Sequence, residues 1–130
     1  ESESVLLAGL LVHGAEVDLF GRGTVPLVSV LDGDEGGRII TSVSVAADGV
    51  GAVAATGRTP ADIPIVAAVA RSAGGKVRVA LTGVASAPVE VDATDPAKGL
   101  SPPGDFRGSS AYRLHLATVL CGRVVAVVSS

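Results

Sequence analysis

The chain has 130 residues, of which 48% are hydrophobic and only 2% aromatic, and its formal net charge at pH 7 is −3. This length suits a single domain, or one domain with a small addition, whose core is built from Val, Ala, Leu and Ile. The net negative charge argues against nucleic-acid binding, and no basic run indicates attraction to a membrane surface.

The first half of the chain contains a short apolar segment followed by predicted strands. Val5–Val12 is either a short helix or a buried extended run, because its pattern fits both, and it is too short to span a bilayer. Ala15–Phe20 alternates and predicts a strand, which forms a hairpin with a second short strand at Thr24–Leu27. Arg38–Val45 predicts a further strand after a polar loop, and Val53–Thr56 a short one.

The second half predicts three antiparallel strands. These are Ile63–Ala70, Lys76–Val84 and Val89–Val91, with glycines between the first two. The preceding Thr59–Asp62 has the cap and the early proline of a helix start, but Pro64 argues against continuation of that helix. We therefore expect a loop that leads into the first of these strands.

A helix is predicted near the C-terminus, with Ser109 or Ser110 as its N-cap. Its apolar face comprises Tyr112, Leu116, Val119, Leu120 and Val124. Arg113 and Arg123 are assigned to other faces. A single amphipathic helix needs a sheet to cover its apolar face, so the predicted fold is α+β: an antiparallel three-stranded sheet packed with a C-terminal helix. Residues 124–128 are either a surface that is buried in an interface or the last turn of this core helix.

The sequence shows few residues with catalytic potential, and we predict no catalytic or metal-binding residue. Cys121 stands alone, which excludes an internal disulfide and favours a small core residue. His13 and His115 lack metal-ligand spacing, and the acidic turn after residue 31 lacks the alternating ligands of a calcium loop. Asp105 and Arg107 are expected to pair with each other or with groups at the helix end.

Five segments in the same order carry a resemblance to a known family. They are Leu10-Leu11-x-x-Gly14-Ala15-Glu16-Val17, Thr24-Val25-Pro26-Leu27, Arg58-x-Pro60-Ala61-Asp62-Ile63-x-Ile65-Val66, Val79-Ala80-Leu81-x-Gly83-Val84-Ala85-x-x-Pro88-Val89 and Asp105-x-Arg107-Gly108-Ser109-x-x-Tyr112-Arg113. Together they resemble the FAD-binding (medium) subunit of molybdenum hydroxylases, the carbon monoxide dehydrogenase and xanthine dehydrogenase flavoprotein family. The similarity spans most of the chain.

The resemblance implies both an architecture and a role. Residues 1–57 would be a remnant of the FAD-binding subdomain, and residues 58–130 the α+β C-terminal domain. The chain would belong to a cytoplasmic oxidoreductase whose FAD relays electrons between iron–sulfur centres and an acceptor. Its partners would be a molybdenum-cofactor large subunit and an iron–sulfur small subunit, and homo-oligomers are a further expectation.

The same resemblance selects candidate cofactor-binding residues. Arg58 and Asp62 match flavin-proximal positions of the family, although a surface arginine and a capping aspartate are the alternative interpretation. Val5, Ala55 and Thr59 depart from the Asp, Lys and Arg usual there. The family's glycine-rich pyrophosphate loops have no counterpart in this sequence, so tight FAD binding by this chain alone is not expected.

Three hypotheses for function follow. The chain is a part or shortened form of the flavoprotein subunit, a scaffold that keeps the fold and docks on partner subunits without flavin, or a small-ligand or self-assembling module. Fold alone does not choose between them. Bound flavin would distinguish the first hypothesis, and the composition of the purified assembly would distinguish the other two.

Overall fold

The computed structural model describes residues 4–33, 38–56, 63–105 and 108–130. Within these ranges the chain forms three helices and seven strands, and all strand pairs are antiparallel. The elements are α1 (Val5–Val12), β1 (Glu16–Leu19), β2 (Gly23–Pro26), α2 (Leu27–Leu31), β3 (Ile40–Ser44), β4 (Val50–Thr56), β5 (Val66–Ala73), β6 (Lys76–Thr82), β7 (Val89–Val91) and α3 (Ser110–Val128). The predicted α+β class is confirmed.

Sheet A comprises the strands β2-β1-β3 in that order, as the predicted hairpin required. Its buried side, which includes Val17 and Val25, faces the core, whereas every residue of β3 is exposed. The carboxylate of Asp18 on the central strand accepts hydrogen bonds from the hydroxyls of Thr24 on β2 and Ser42 on β3. Polar bonds on the outer face therefore join all three strands.

Sheet B comprises β4-β5-β6-β7, so β4 adds a fourth strand to the three predicted for the second half. Gly74 and Gly75, at φ 58° and 79°, form the two-residue turn between β5 and β6, where both positions need positive φ. The first six residues of β5 are all buried. This strand is covered on both faces, which explains its continuous apolar run.

Helix α1 resolves the ambiguity of the N-terminal apolar run. The Ser4 hydroxyl caps it by accepting a hydrogen bond from the Leu7 amide at 3.2 Å. Ala8 and Val12 are fully buried in a cluster that includes Val69 and Ala80 of sheet B and continues to the inner side of sheet A. Helix α1 therefore covers one face of sheet B and links the two sheets through one apolar core.

Helix α3 covers the opposite face of sheet B, and Ser109 is its N-cap, with the Tyr112 amide donating to its hydroxyl at 3.1 Å. The buried side chains of α3 are Arg113, Leu116, Ala117, Leu120, Cys121, Val124 and Val128. The predicted placement of Arg113 on another face was wrong, since Arg113 is 4% exposed while Tyr112 is 42% exposed. Residues 124–128 form the last turn of the helix.

The apolar character of α3 has a core-packing explanation. By length and composition alone, this helix is apolar enough to cross a membrane. Its buried side chains, however, pack with Val66, Ala68 and Leu81 in a cluster centred on sheet B. That is the arrangement of a core helix in a globular domain.

A buried arginine joins α1, the β3–β4 connection and sheet B. Arg71 on β5 is 8% exposed. Its Nε donates to the Asp48 carbonyl oxygen at 2.9 Å, its Nη2 to Asp48 Oδ1 at 2.5 Å, and its Nη1 to the Val12 carbonyl oxygen at 3.4 Å.

Strand β4 lies on the N-terminal side of the domain boundary predicted after residue 57, and it pairs along its whole length with β5 on the C-terminal side. The assignment of the two predicted segments to separate domains stays a prediction.

Candidate functional site

The two predicted cofactor-binding residues, Arg58 and Asp62, lie outside the described residues, as does Thr59. The described chain on either side is held together, because the Ile65 amide donates to the Thr56 carbonyl oxygen at 2.7 Å. The segment that contains both candidates therefore starts and ends at the same end of the β4–β5 pair. Their assignment as flavin-proximal residues stays a prediction.

The terminal motif forms a hydrogen-bonded cluster beside that end of sheet B. Arg113 Nη1 donates to the carbonyl oxygens of Gly83 at 2.8 Å and Ile65 at 3.2 Å. Its Nη2 donates to Asp105 Oδ1 at 3.0 Å, and its Nε lies 3.5 Å from the Gly108 carbonyl oxygen. We call Arg113 and these four partners the Arg113 cluster. It fastens the start of α3 to the chain just before β5 and just after β6.

Close backbone packing completes the Arg113 cluster. Gly83 has φ +78°, and a Cβ atom there would overlap the carbonyl oxygen of Ile65. Only glycine therefore fits this position without a backbone shift. Asp105 also accepts a hydrogen bond from the Gly108 amide at 3.2 Å. The expected pairing of Asp105 with helix-end groups is thus observed, whereas Arg107 lies outside the described residues.

An apolar groove opens between α1 and strand β4 and has a volume of about 570 Å³. We define it by Leu6, Gly9 and His13 on the helix side and by Val45, Val53 and Val69 on the strand side. Leu6 and Val53 are 73% and 61% exposed at its rim. The groove arises because α1 packs over β5, β6 and β7 and leaves this face of β4 uncovered.

The groove contains a single polar side chain. His13 Nδ1 lies 2.8 Å from the Gly9 carbonyl oxygen, which only accepts, so this contact places the ring hydrogen on Nδ1. The remaining lining is aliphatic or glycine. A diphosphate needs cations or converging N–H groups, which this lining does not supply. The groove therefore does not fit the pyrophosphate of FAD.

The other potentially reactive side chains are those of Cys121, His13 and His115. Cys121 is fully buried, and burial raises the pKa of its thiol, so the reactive thiolate is disfavoured. His13 and His115 belong to opposite faces of sheet B, on α1 and α3 respectively. In the described part of the chain, no three His, Cys, Asp or Glu side chains gather into a potential metal site.

Sequence reasoning missed the Arg71 contacts and misplaced Arg113. Both arginines bind carbonyl oxygens that are distant in sequence, so no local spacing marks them. The apolar groove was also missed. Its available signal was the all-round apolar character of Val5–Val12, which exceeds what one buried face requires.

Comparison with known proteins shows which folds this arrangement resembles. No protein-family profile matches the chain, and no curated protein matches its sequence. Carbon monoxide dehydrogenase from Hydrogenophaga pseudoflava aligns with a TM-score of 0.82 and 19% identity over 99% of this chain. Quinoline 2-oxidoreductase from Pseudomonas putida 86 aligns with a TM-score of 0.77 and 20% identity, also over 99%.

A third similar structure is the reconstituted CO dehydrogenase from Oligotropha carboxidovorans, with a TM-score of 0.73 and 21% identity over 98% of this chain. In all three cases the alignment covers 57% of the other chain. The similarity therefore shows a shared fold over almost all of this chain and a little over half of each compared chain.

Proposed function

We propose that this chain is part of the FAD-binding subunit of a molybdenum hydroxylase-type oxidoreductase. The carrying observation is the alignment of 98–99% of the chain, at TM-scores of 0.73 to 0.82, with chains of carbon monoxide dehydrogenases and a quinoline oxidoreductase. The ordered resemblance of five sequence segments to the flavoprotein family supports the assignment to this subunit. Electron relay between iron–sulfur centres, FAD and an acceptor is the role this assignment carries.

In this proposal the chain supplies a packed platform, and other polypeptide supplies the FAD pyrophosphate site. The chain's own groove is aliphatic and does not fit a diphosphate. Arg58 and Asp62 are the residues we propose next to the flavin, in the segment that the β4–β5 pair brackets. The partners are a molybdenum-cofactor large subunit and an iron–sulfur small subunit, in the cytoplasm.

A non-catalytic scaffold is the second candidate function. Strand β3 is exposed along its whole length, and Ile40 and Val43 are 46% and 48% exposed on it. Exposed apolar strands of this kind indicate contact with other protein. A scaffold would keep these contacts and the fold without binding flavin.

Native mass spectrometry of the chain, purified under mild conditions from its source cells, tests the subunit assignment. We expect an assembly that contains heavier foreign chains, with flavin, iron and molybdenum quantified in the same sample. Foreign chains without flavin would favour the scaffold. A chain that carries neither foreign subunits nor flavin would contradict both candidates.

Titration of FAD into the isolated chain is a separate prediction. We expect no saturable quenching of flavin fluorescence at micromolar FAD, because the described residues offer no diphosphate site. The matched control is the double variant Arg58→Ala with Asp62→Ala, which should behave like the unaltered chain in isolation. Tight, saturable binding to the unaltered chain would show that it forms a complete site.

A further inference from the structure

Strand β4 forms one edge of sheet B, and no strand lies beyond it in the described ranges. At such an edge, alternate backbone N–H and C=O groups point away from the sheet, and the group that matches their spacing is another β-strand. The edge therefore favours one kind of partner, an extended strand, whereas an exposed apolar surface alone would not indicate the backbone geometry of its partner.

The other three sheet edges carry features that oppose strand addition, whereas β4 does not. Strand β7 has three residues and includes Glu90, and β2 has four and ends in Pro26. The pairing of β3 with β1 is irregular between Asp18 and Leu19. Short length, charge, proline and irregular pairing are the usual protections of an edge.

Strand β4 has none of these protections. Its seven residues contain no charge and no proline, and its register with β5 runs without interruption from Val50 to Thr56. Val50 and Val53 are 58% and 61% exposed. A long, regular, uncharged edge with exposed valines is the type that pairs with another chain.

We propose that β4 pairs antiparallel with β4 of a second copy of this chain. The two-fold axis would pass beside Val53, and the two four-stranded sheets would become one continuous sheet. Both copies would use the same surface, so no β4 edge would remain free to bind a third copy and the assembly would be a dimer.

The sequence of β4 is self-complementary in this register. Centred on Val53, the antiparallel pair places Val50 opposite Thr56, Gly51 opposite Ala55 and Ala52 opposite Ala54. No charge meets a like charge, and the one pair of two large side chains is the apolar Val53 pair at the axis. This symmetry favours a second copy over a strand of unrelated sequence.

The proposed register also keeps the two faces of the strand consistent. Ala52 and Ala54 pack with the core under α3, and each would lie opposite the other from the second copy. Val53 belongs to the open face, beside the apolar groove, and would lie opposite itself. The two grooves would then be adjacent across the axis, which covers part of the exposed rim.

Light scattering coupled to size-exclusion chromatography, over a range of concentrations, tests the proposal. We expect the mass to approach twice the 12.7 kDa of one chain as concentration rises. Val53→Lys would place two ammonium groups side by side at the axis, and we expect it to weaken dimerisation by about fivefold. Val43→Lys, at an exposed position of β3, is the matched control and should dimerise like the unaltered chain.

Disulfide cross-linking provides a readout that adds no charge. Opposed residues of an antiparallel pair have Cα atoms about 4.5–5.5 Å apart, which is within the range that a disulfide spans, so mild oxidation should cross-link Val53→Cys into a dimer. Val43→Cys should remain largely without a disulfide cross-link, and the native Cys121 is buried. An unaltered chain that is monomeric at every concentration, a dimer that survives Val53→Lys, or equal cross-linking at both positions would overturn the proposal.

Discussion

At the scale of residues, two buried arginines hold together loops that apolar packing would leave loose. Arg71 and Arg113 are each less than a tenth exposed, and their guanidinium groups donate to backbone carbonyl oxygens from separate segments. Among the described residues, no buried side-chain nitrogen or oxygen lacks a hydrogen-bond partner. In a core with almost no aromatic side chains, the planar five-donor guanidinium joins several backbone segments at once.

Replacement of Arg113 by methionine should destabilise the fold. Two carbonyl oxygens, those of Ile65 and Gly83, would lose their buried donor, which costs about 1–3 kcal/mol. Arg113→Lys should cost less, because one ammonium group restores part of the bonding. Urea unfolding followed by far-UV circular dichroism measures the change.

The matched control is Arg123→Met, which removes an exposed arginine from the same helix. It should change the unfolding free energy by less than about 0.5 kcal/mol. Equal losses for the two methionine variants would contradict a specific role for the Arg113 cluster.

At the scale of elements, burial fixes the position of some strands, whereas polar hydrogen bonds fix the position of others. Strand β5 is covered by α1 on one face and by α3 on the other, so burial fixes its place. Strand β3 has no buried residue, and the bond from Ser42 to Asp18 helps to fix its register. Hydrogen bonds from the hydroxyl of Ser42, which has the larger effect, and from that of Thr24 lower the pKa of Asp18 below its ordinary value.

This shift predicts a pH dependence for sheet A. A carboxyl group with a lower pKa in the folded state stabilises the fold above its unfolded pKa of about 3.9, and the stabilisation is lost as pH falls through the folded value. Asp18→Asn should therefore lower the thermal midpoint at pH 7, and the difference from the unaltered chain should shrink in acid, below about pH 4.

Thermal unfolding between neutral and strongly acidic pH measures this difference. Glu16→Gln, on the same strand, is the control for the general effect of removing one carboxylate. A difference between Asp18→Asn and the unaltered chain that stays constant as the pH falls would refute the predicted linkage.

At the scale of the whole molecule, two apolar clusters share sheet B. One fills the side of α3, and the other lies under α1 and continues to sheet A. On the α1 side, Arg71 of β5 joins sheet B to the end of α1 and to the β3–β4 connection. We therefore expect the unaltered chain to unfold as one cooperative unit.

Arg71→Met should weaken this connection. We expect hydrogen exchange to accelerate in peptides from sheet A more than in peptides from β5 and β6, because the Val12 and Asp48 carbonyl oxygens lose their donor. Arg78→Met, which breaks the half-exposed pair with Glu90, is the control and should leave that difference unchanged. Uniform acceleration across both sheets would contradict the predicted role.

Local sequence patterns correctly predicted those elements whose structure depends mainly on residues close together in the chain. The Gly74–Gly75 turn and the alternation of β6 were sufficient for the central hairpin, and apolar spacing was sufficient for α3. Strand β4 begins at Val50, before the predicted start at Val53, because its pairing with β5 overrides the weak strand preference of Gly51. Only long-range contacts determine such an extension.

The candidate site was less accessible to prediction. A prediction from the spacing of apolar residues assigns every charged residue to the solvent-facing side of a helix. Arg113 was therefore placed wrongly, because its buried carbonyl partners come from distant segments of the chain. The groove depends on where α1 crosses sheet B, which no local pattern encodes. Arg58 and Asp62 rest on family resemblance, and their role remains a prediction.

The position of α3 in the chain has a consequence for biosynthesis. Polypeptides leave the ribosome N-terminus first, at about 5–20 residues per second, so sheet B emerges before the helix that covers one of its faces. Until α3 has been synthesised and packs on the sheet, Val66, Ala68 and Leu81 remain exposed to solvent. Truncation of the chain within residues 110–128 should therefore leave this face of sheet B exposed and yield an insoluble product.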